Sequence, residues 1–132
     1  MDKTLSKKTV KRTERGWAGH YCCADKCLFR RNTLLSRNDI FIVVSTVGLL
    51  RRDGDEKYGH VNPGSYYETM AFFSKKQDTT YHDADVSRQI NIESFSSLSY
   101  LDDNKANEMH ENIVDELIIK MEKGEIEYAI TS

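Results

Sequence analysis

One helical pattern near the C-terminus constrains this chain more than any other feature. Ala106, Met109, Ile113, Val114, Leu117, Ile118 and Met121 recur at three- and four-residue spacing and so share one side of a helix. Asp102 or Asp103 stands ahead of the stripe, where a carboxylate can accept from an orphan backbone N–H. Gly124 stands behind it, where a glycine in the left-handed region ends a helix. His110 lies beside the stripe and reads as a boundary residue. Such a helix draws most of its stability from packing its apolar face on something else.

The preceding segments supply strands for that purpose. Ile40–Val47 (IFIVVSTV) is β-branched and almost continuously apolar, which predicts a central strand covered on both faces. Ser65–Ser74 alternates cleanly. Tyr66, Glu68, Met70 and Phe72 share one face, and Tyr67, Thr69, Ala71 and Phe73 share the other. Thr80–Ile92 alternates as a half-buried strand does, and Tyr21–Leu35 reads as one or two short strands. Ser36–Asp39 is turn chemistry, and residues 51–64, with three Gly-containing turn signals, form a long loop. Glu125–Ile130 is either a short edge strand or a tail. Strands followed by one long helix predict an α+β domain: an antiparallel sheet of four or five strands with the helix on one face. The other face is expected to be partly wet or open to a partner.

The chain has 132 residues, enough for one domain. Residues 1–15 are polar and basic and read as a flexible tail, which leaves residues 16–132 as the single domain. The net charge of −2 conceals a division. Residues 1–52 hold 12 Lys+Arg against 4 Asp+Glu, and residues 53–132 hold 7 against 17. No apolar run approaches the roughly 20 residues that span a bilayer, and no apolar signal core follows the basic start. A cytoplasmic setting without a disulfide framework is the expectation. Nucleotide-binding glycine loops, the HExxH helix and the nucleophile elbow are all missing, and there is no internal repeat.

Ligand chemistry concentrates in Gly19–Cys27, which holds all three cysteines, Cys22, Cys23 and Cys27. His20, Cys23 and Cys27 are spaced H-x2-C-x3-C, which lets one tight loop aim an imidazole and two thiolates at a zinc ion. The fourth ligand would be Cys22, His60 or His82. His60, in a glycine-rich loop able to fold over the site, completes the candidate set His20, Cys23, Cys27 and His60. A structural zinc would staple a small domain. Two other readings stand beside it: buried, inert cysteines packed as small hydrophobes, or a reactive thiol with its pKa lowered by Lys26, Arg30 and Arg31.

Charged residues suggest where a partner would bind. Arg30 and Arg31 carry forked donors suited to phosphate or carboxylate. Glu108, Glu111 and Asp115 present negative charge on the helix, able to imitate a nucleic-acid backbone before a basic groove. Direct nucleic-acid binding is not favoured, because the aromatic-rich strands are not basic.

The strings Glu14–His20, Cys23 and Cys27–Leu35, followed by Val43–Gly48 (VVSTVG), Tyr66–Met70 (YYETM) and Asp83–Arg88 (DADVSR), resemble small proteins encoded by bacteriophages and prophages. In size and setting the chain is similar to phage inhibitors of bacterial defence, including type II anti-CRISPR proteins. The resemblance implies a non-enzymatic inhibitor that binds a bacterial protein or nucleoprotein, at its most specific a Cas9-type nuclease, inside the host cytoplasm. Alternative expectations are a small metal-dependent hydrolase of nucleotides or signalling molecules, with Glu68 or Asp83 as base, and a nucleic-acid-binding module that uses the basic N-terminal region.

Overall fold

In a computed structural model, residues 9–15, 20, 24–51, 57–74, 84–90 and 96–126 are described. Among them the chain forms a mixed α+β fold, an antiparallel sheet with one long C-terminal helix. The strands are β1 (Lys11–Glu14), β2 (Cys27–Arg37), β3 (Ile40–Leu50), β4 (Tyr67–Ser74), β5 (Ala84–Gln89) and β6 (Ser96–Leu98), and the helix is α1 (Asp103–Glu122). The order across the sheet is β1-β2-β3-β4-β5, with β6 also paired to β4. β5 takes the Phe72–Ser74 end of β4 and β6 takes the Tyr67–Thr69 end. The sheet thus has six strands but is five strands wide.

Two of these strands lie outside the sequence expectation. Lys11–Glu14, expected within the basic tail, pairs antiparallel with Thr33–Ser36 as edge strand β1, while residues 1–8 are outside the described part. All four β1 residues are exposed, so no apolar alternation marks the strand. Ladder hydrogen bonds to β2 hold it there. β6 has only three residues, too few for a period-2 pattern. In contrast, β2 and β3 are longer than expected. They pair from Cys27↔Leu50 to Arg37↔Ile40 around Asn38-Asp39, with Asn38 at φ 55°, a conformation that asparagine tolerates.

Helix α1 follows its sequence signals. Asp102 is the N-cap and accepts from the Lys105 N–H at 3.1 Å, and Gly124 follows the last turn at φ 72°. Its apolar side rests on the sheet: Ile113, Val114, Leu117 and Met121 pack with Leu35, Ile42, Val44, Ala71 and Phe73. Nearer the N-terminus of α1, Ala106 packs with Tyr67 and Leu98. Gly48 sits where the Tyr67 ring crosses β3. A Cβ there would overlap that ring and lie 2.8 Å from the Tyr66 carbonyl oxygen.

The face away from α1 is buried across its middle, while Arg30 at its edge is exposed. Asn32, Leu34, Val43, Ser45 and Phe72 are all buried. Two residues that precede β2 reach this face: the Arg15 guanidinium donates to Asn32 Oδ1 at 2.8 Å, and the His20 ring packs 5.5 Å from the Phe72 ring. The continuous apolar run of β3 already implied cover on both sides, and that implication outweighs the half-wet sheet usual for antiparallel strands. No helix among the described residues is long and apolar enough to cross a membrane.

Candidate functional site

Polar side chains interrupt the apolar sheet at one level. Asn32-Thr33, Ser45-Thr46 and Glu68-Thr69 are neighbours in sequence on β2, β3 and β4, so one member of each pair points to each face. A histidine caps each of the two polar patches.

On the face away from α1 the cap is His20. Its backbone N–H donates to Ser45 Oγ at 3.1 Å, Nδ1 lies 2.9 Å from the same oxygen, and Nε2 lies 2.6 Å from Glu68 Oε1. Only 5% of the His20 side chain and 12% of the Glu68 side chain are exposed. Asn62, from the loop before β4, donates to the other Glu68 oxygen. The His20 hydrogen bond holds the Glu68 carboxyl below its ordinary pKa against the opposing effect of burial. An ionised carboxylate only accepts, so His20 Nε2–H is the donor. The expected base Glu68 is therefore engaged with His20 and Asn62, and Asp83 lies outside the described residues.

On the helix face the cap is His110, which is fully buried. Its Nε2 lies 2.6 Å from Thr33 Oγ1 and its Nδ1 lies 2.7 Å from Thr46 Oγ1, which in turn lies 2.7 Å from Thr69 Oγ1. Burial, reinforced by the nearby Arg31 charge, pushes the imidazole pKa down to about 4. His110 is thus a core residue and not a boundary one. The signal was present: Ala106, His110, Ile113, Leu117 and Met121 form an unbroken line at helical spacing, and only polarity removed the histidine from it.

At the edge, β1, β2 and α1 share a charged seam. Arg12 makes a two-pronged pair with Glu111, through Nη1 to Oε1 at 2.9 Å and Nη2 to Oε2 at 2.5 Å. Arg31 reaches Glu14 at 3.0 Å and Glu111 at 2.9 Å, and the Thr33 hydroxyl donates to Glu14 at 2.6 Å. The Arg12 hydrogen bond pulls the Glu111 carboxyl down to about 2. Two of the five expected partner-binding residues, Arg31 and Glu111, therefore bind each other. Arg30, Glu108 and Asp115 remain exposed, with Glu108 3.1 Å from Lys105. On the solvent side of α1, Glu108 and Asp115 are joined by Ile119, which is 51% exposed.

Among the described residues, the candidate zinc ligands His20, Cys27 and His60 are not brought together. Cys27 is buried among Val47, Leu50 and Val61, His60 is exposed against the Tyr66 ring at 4.3 Å, and both nitrogens of His20 face Ser45 and Glu68. Cys22, Cys23 and His82 lie outside the described residues. Packing of Val61 on Cys27 does bring the His60 loop to the start of β2. Among the described residues no group of three or more His, Cys, Asp or Glu side chains could hold a metal.

A groove of about 350 Å³ opens at the start of α1, between Leu49, Tyr58, Tyr67, Leu101, Asp102 and Asp103. The Tyr67 hydroxyl donates to Asp103 at 2.5 Å, and burial, aided by that carboxylate, raises its pKa. No protein-family model matches the chain, and no curated protein and no solved structure matches it.

Proposed function

We propose that this chain is a phage-derived, non-enzymatic inhibitor that binds a bacterial defence protein or nucleoprotein and occludes a nucleic-acid-binding surface. In its most specific form the partner is a Cas9-type nuclease. The observation that carries the reading is the solvent side of α1. There Asp115 and Glu122 flank the exposed Ile119, and Glu108 lies on the same side two turns before Asp115. Carboxylates around an apolar contact suit a basic groove, in which the charges steer the encounter and the apolar group is desolvated.

Arg31 and Glu111 are paired in the seam, where they hold β1 and α1 together beside that surface. A structural zinc held by His20, Cys23, Cys27 and one further ligand belongs to the same reading as a staple for a small domain, and metal content of the purified protein tests it separately.

The test is binding to a guide-loaded Cas9-type nuclease at moderate salt, followed by DNA loading and cleavage. The expected result is a complex with reduced loading, weakened at least tenfold by Glu108→Lys combined with Asp115→Lys, with folding intact. Absence of a complex together with unimpaired loading removes this partner.

A further inference from the structure

The buried histidine on the helix face belongs to a longer run of side chains with a defined direction. Thr33 gives its only hydroxyl proton to Glu14, so it must accept from His110, and His110 Nε2 carries a proton. A neutral imidazole then accepts at Nδ1, so the donor there is Thr46. Thr46 has spent its proton, so it accepts from Thr69. Donation runs one way, from Thr69 through Thr46, His110 and Thr33 to Glu14. The five residues come from β4, β3, α1, β2 and β1 in turn, so one hydrogen-bonded run stitches four strands and the helix together.

We propose that this run is an acid-sensitive latch: a second proton on His110, placed on Nδ1, reverses the Thr46–Thr69 half of the run, leaves a buried cation, and releases α1, and β1 with it, from the sheet. With Nδ1 protonated, Thr46 must turn its hydroxyl away, and its bond to Thr69 changes direction. The new cation is shut off from water, with Arg12 and Arg31 on one side. The carboxylates facing it, Glu14 and Glu111, are already paired with those arginines. Glu111 follows His110 directly on α1, so a shift of that turn also withdraws the anchor of Arg12 on β1.

The direction of the pH effect follows from the depressed imidazole. The unfolded chain takes up the proton near the ordinary histidine value of 6.5, and the folded chain does so only near 4. Stability is complete above that window and falls as pH drops through it. The lowered carboxylates Glu14, Glu68 and Glu111 act below 4.5, so the upper part of the window belongs to histidine. The latch is independent of the proposed partner.

Nitrogen NMR of the His110 ring, with denaturant midpoints and amide exchange at about pH 7 and about pH 5, tests the latch. The comparison is His110→Gln, whose amide keeps one donor and one acceptor but does not titrate. The expected results are a proton on Nε2, a lower wild-type midpoint at about pH 5, and α1 and β1 amides that exchange before those of β2–β4. The variant midpoint changes less than half as much. A proton on Nδ1, ordinary titration of the ring in the folded protein, or equal pH dependence of the two proteins overturns the latch. Should His110→Gln not fold, the ring titration in the wild type decides alone.

Discussion

The two faces of this sheet bury a histidine at the same level, and the partners make the two sites different. His20 meets a carboxylate, and the pair forms a charge-assisted hydrogen bond that lowers the Glu68 pKa. His110 meets only threonine hydroxyls, so burial dominates and its own pKa falls to about 4. The surroundings differ too. His110 sits on a twenty-residue helix whose packing continues for three turns, whereas His20 arrives on chain that precedes β2 and is held chiefly by polar contacts. The same residue type is a helix anchor on one face and a clasp on the other.

Breaking the helix face should cost most. Leu117→Ala removes a fully buried side chain from the centre of the main core, with an expected loss of about 2–5 kcal/mol in denaturant unfolding. Breaking the clasp comes next. Glu68→Gln removes the charge from a nearly buried pair and should cost about 1.5–3 kcal/mol at neutral pH. It should also flatten the acid dependence. A carboxyl with a lowered pKa contributes stability above its ordinary value of 4.5 and loses it as pH falls through the folded value, and the variant has no such contribution to lose.

Gly48→Ala probes the ground between the two faces. The added methyl meets the Tyr67 ring and the Tyr66 carbonyl, neither free to move far, and an overpacking cost of about 1–3 kcal/mol should lower the melting temperature. The smallest effect belongs to the seam. Arg12 and Glu111 are each more than a third exposed, so Arg12→Ala should cost less than about 1 kcal/mol. Its visible consequence should be faster amide exchange confined to β1.

Legibility divides along the same line. A helix cap at Asp102 or Asp103, the helix end at Gly124, the two-sided burial of β3 and the alternation of β4 were all readable, because each follows from local backbone geometry or periodicity. β1 was not, because its four exposed residues carry no periodic signal and its place is set by ladder bonds to β2. Glu68 was singled out as a candidate base, but nothing local revealed that His20, 48 residues away, would close over it. The separation between Thr33 and His110 is 77 residues, again beyond any local pattern.

The charge division between residues 1–52 and 53–132 is a property of the sequence alone, and so are the amphipathic helix and the strands able to receive it. What that division becomes was a tertiary decision. Antiparallel pairing brought Arg12 and Arg31 to one edge, and docking of α1 by its apolar stripe carried Glu111 to the same edge. Opposite charges far apart in sequence met there because burial of the helix and the register of the sheet left them no other position. Part of the polarity is spent inside the fold, and Glu108 and Asp115 stay on the surface because the helix turns them away from the sheet.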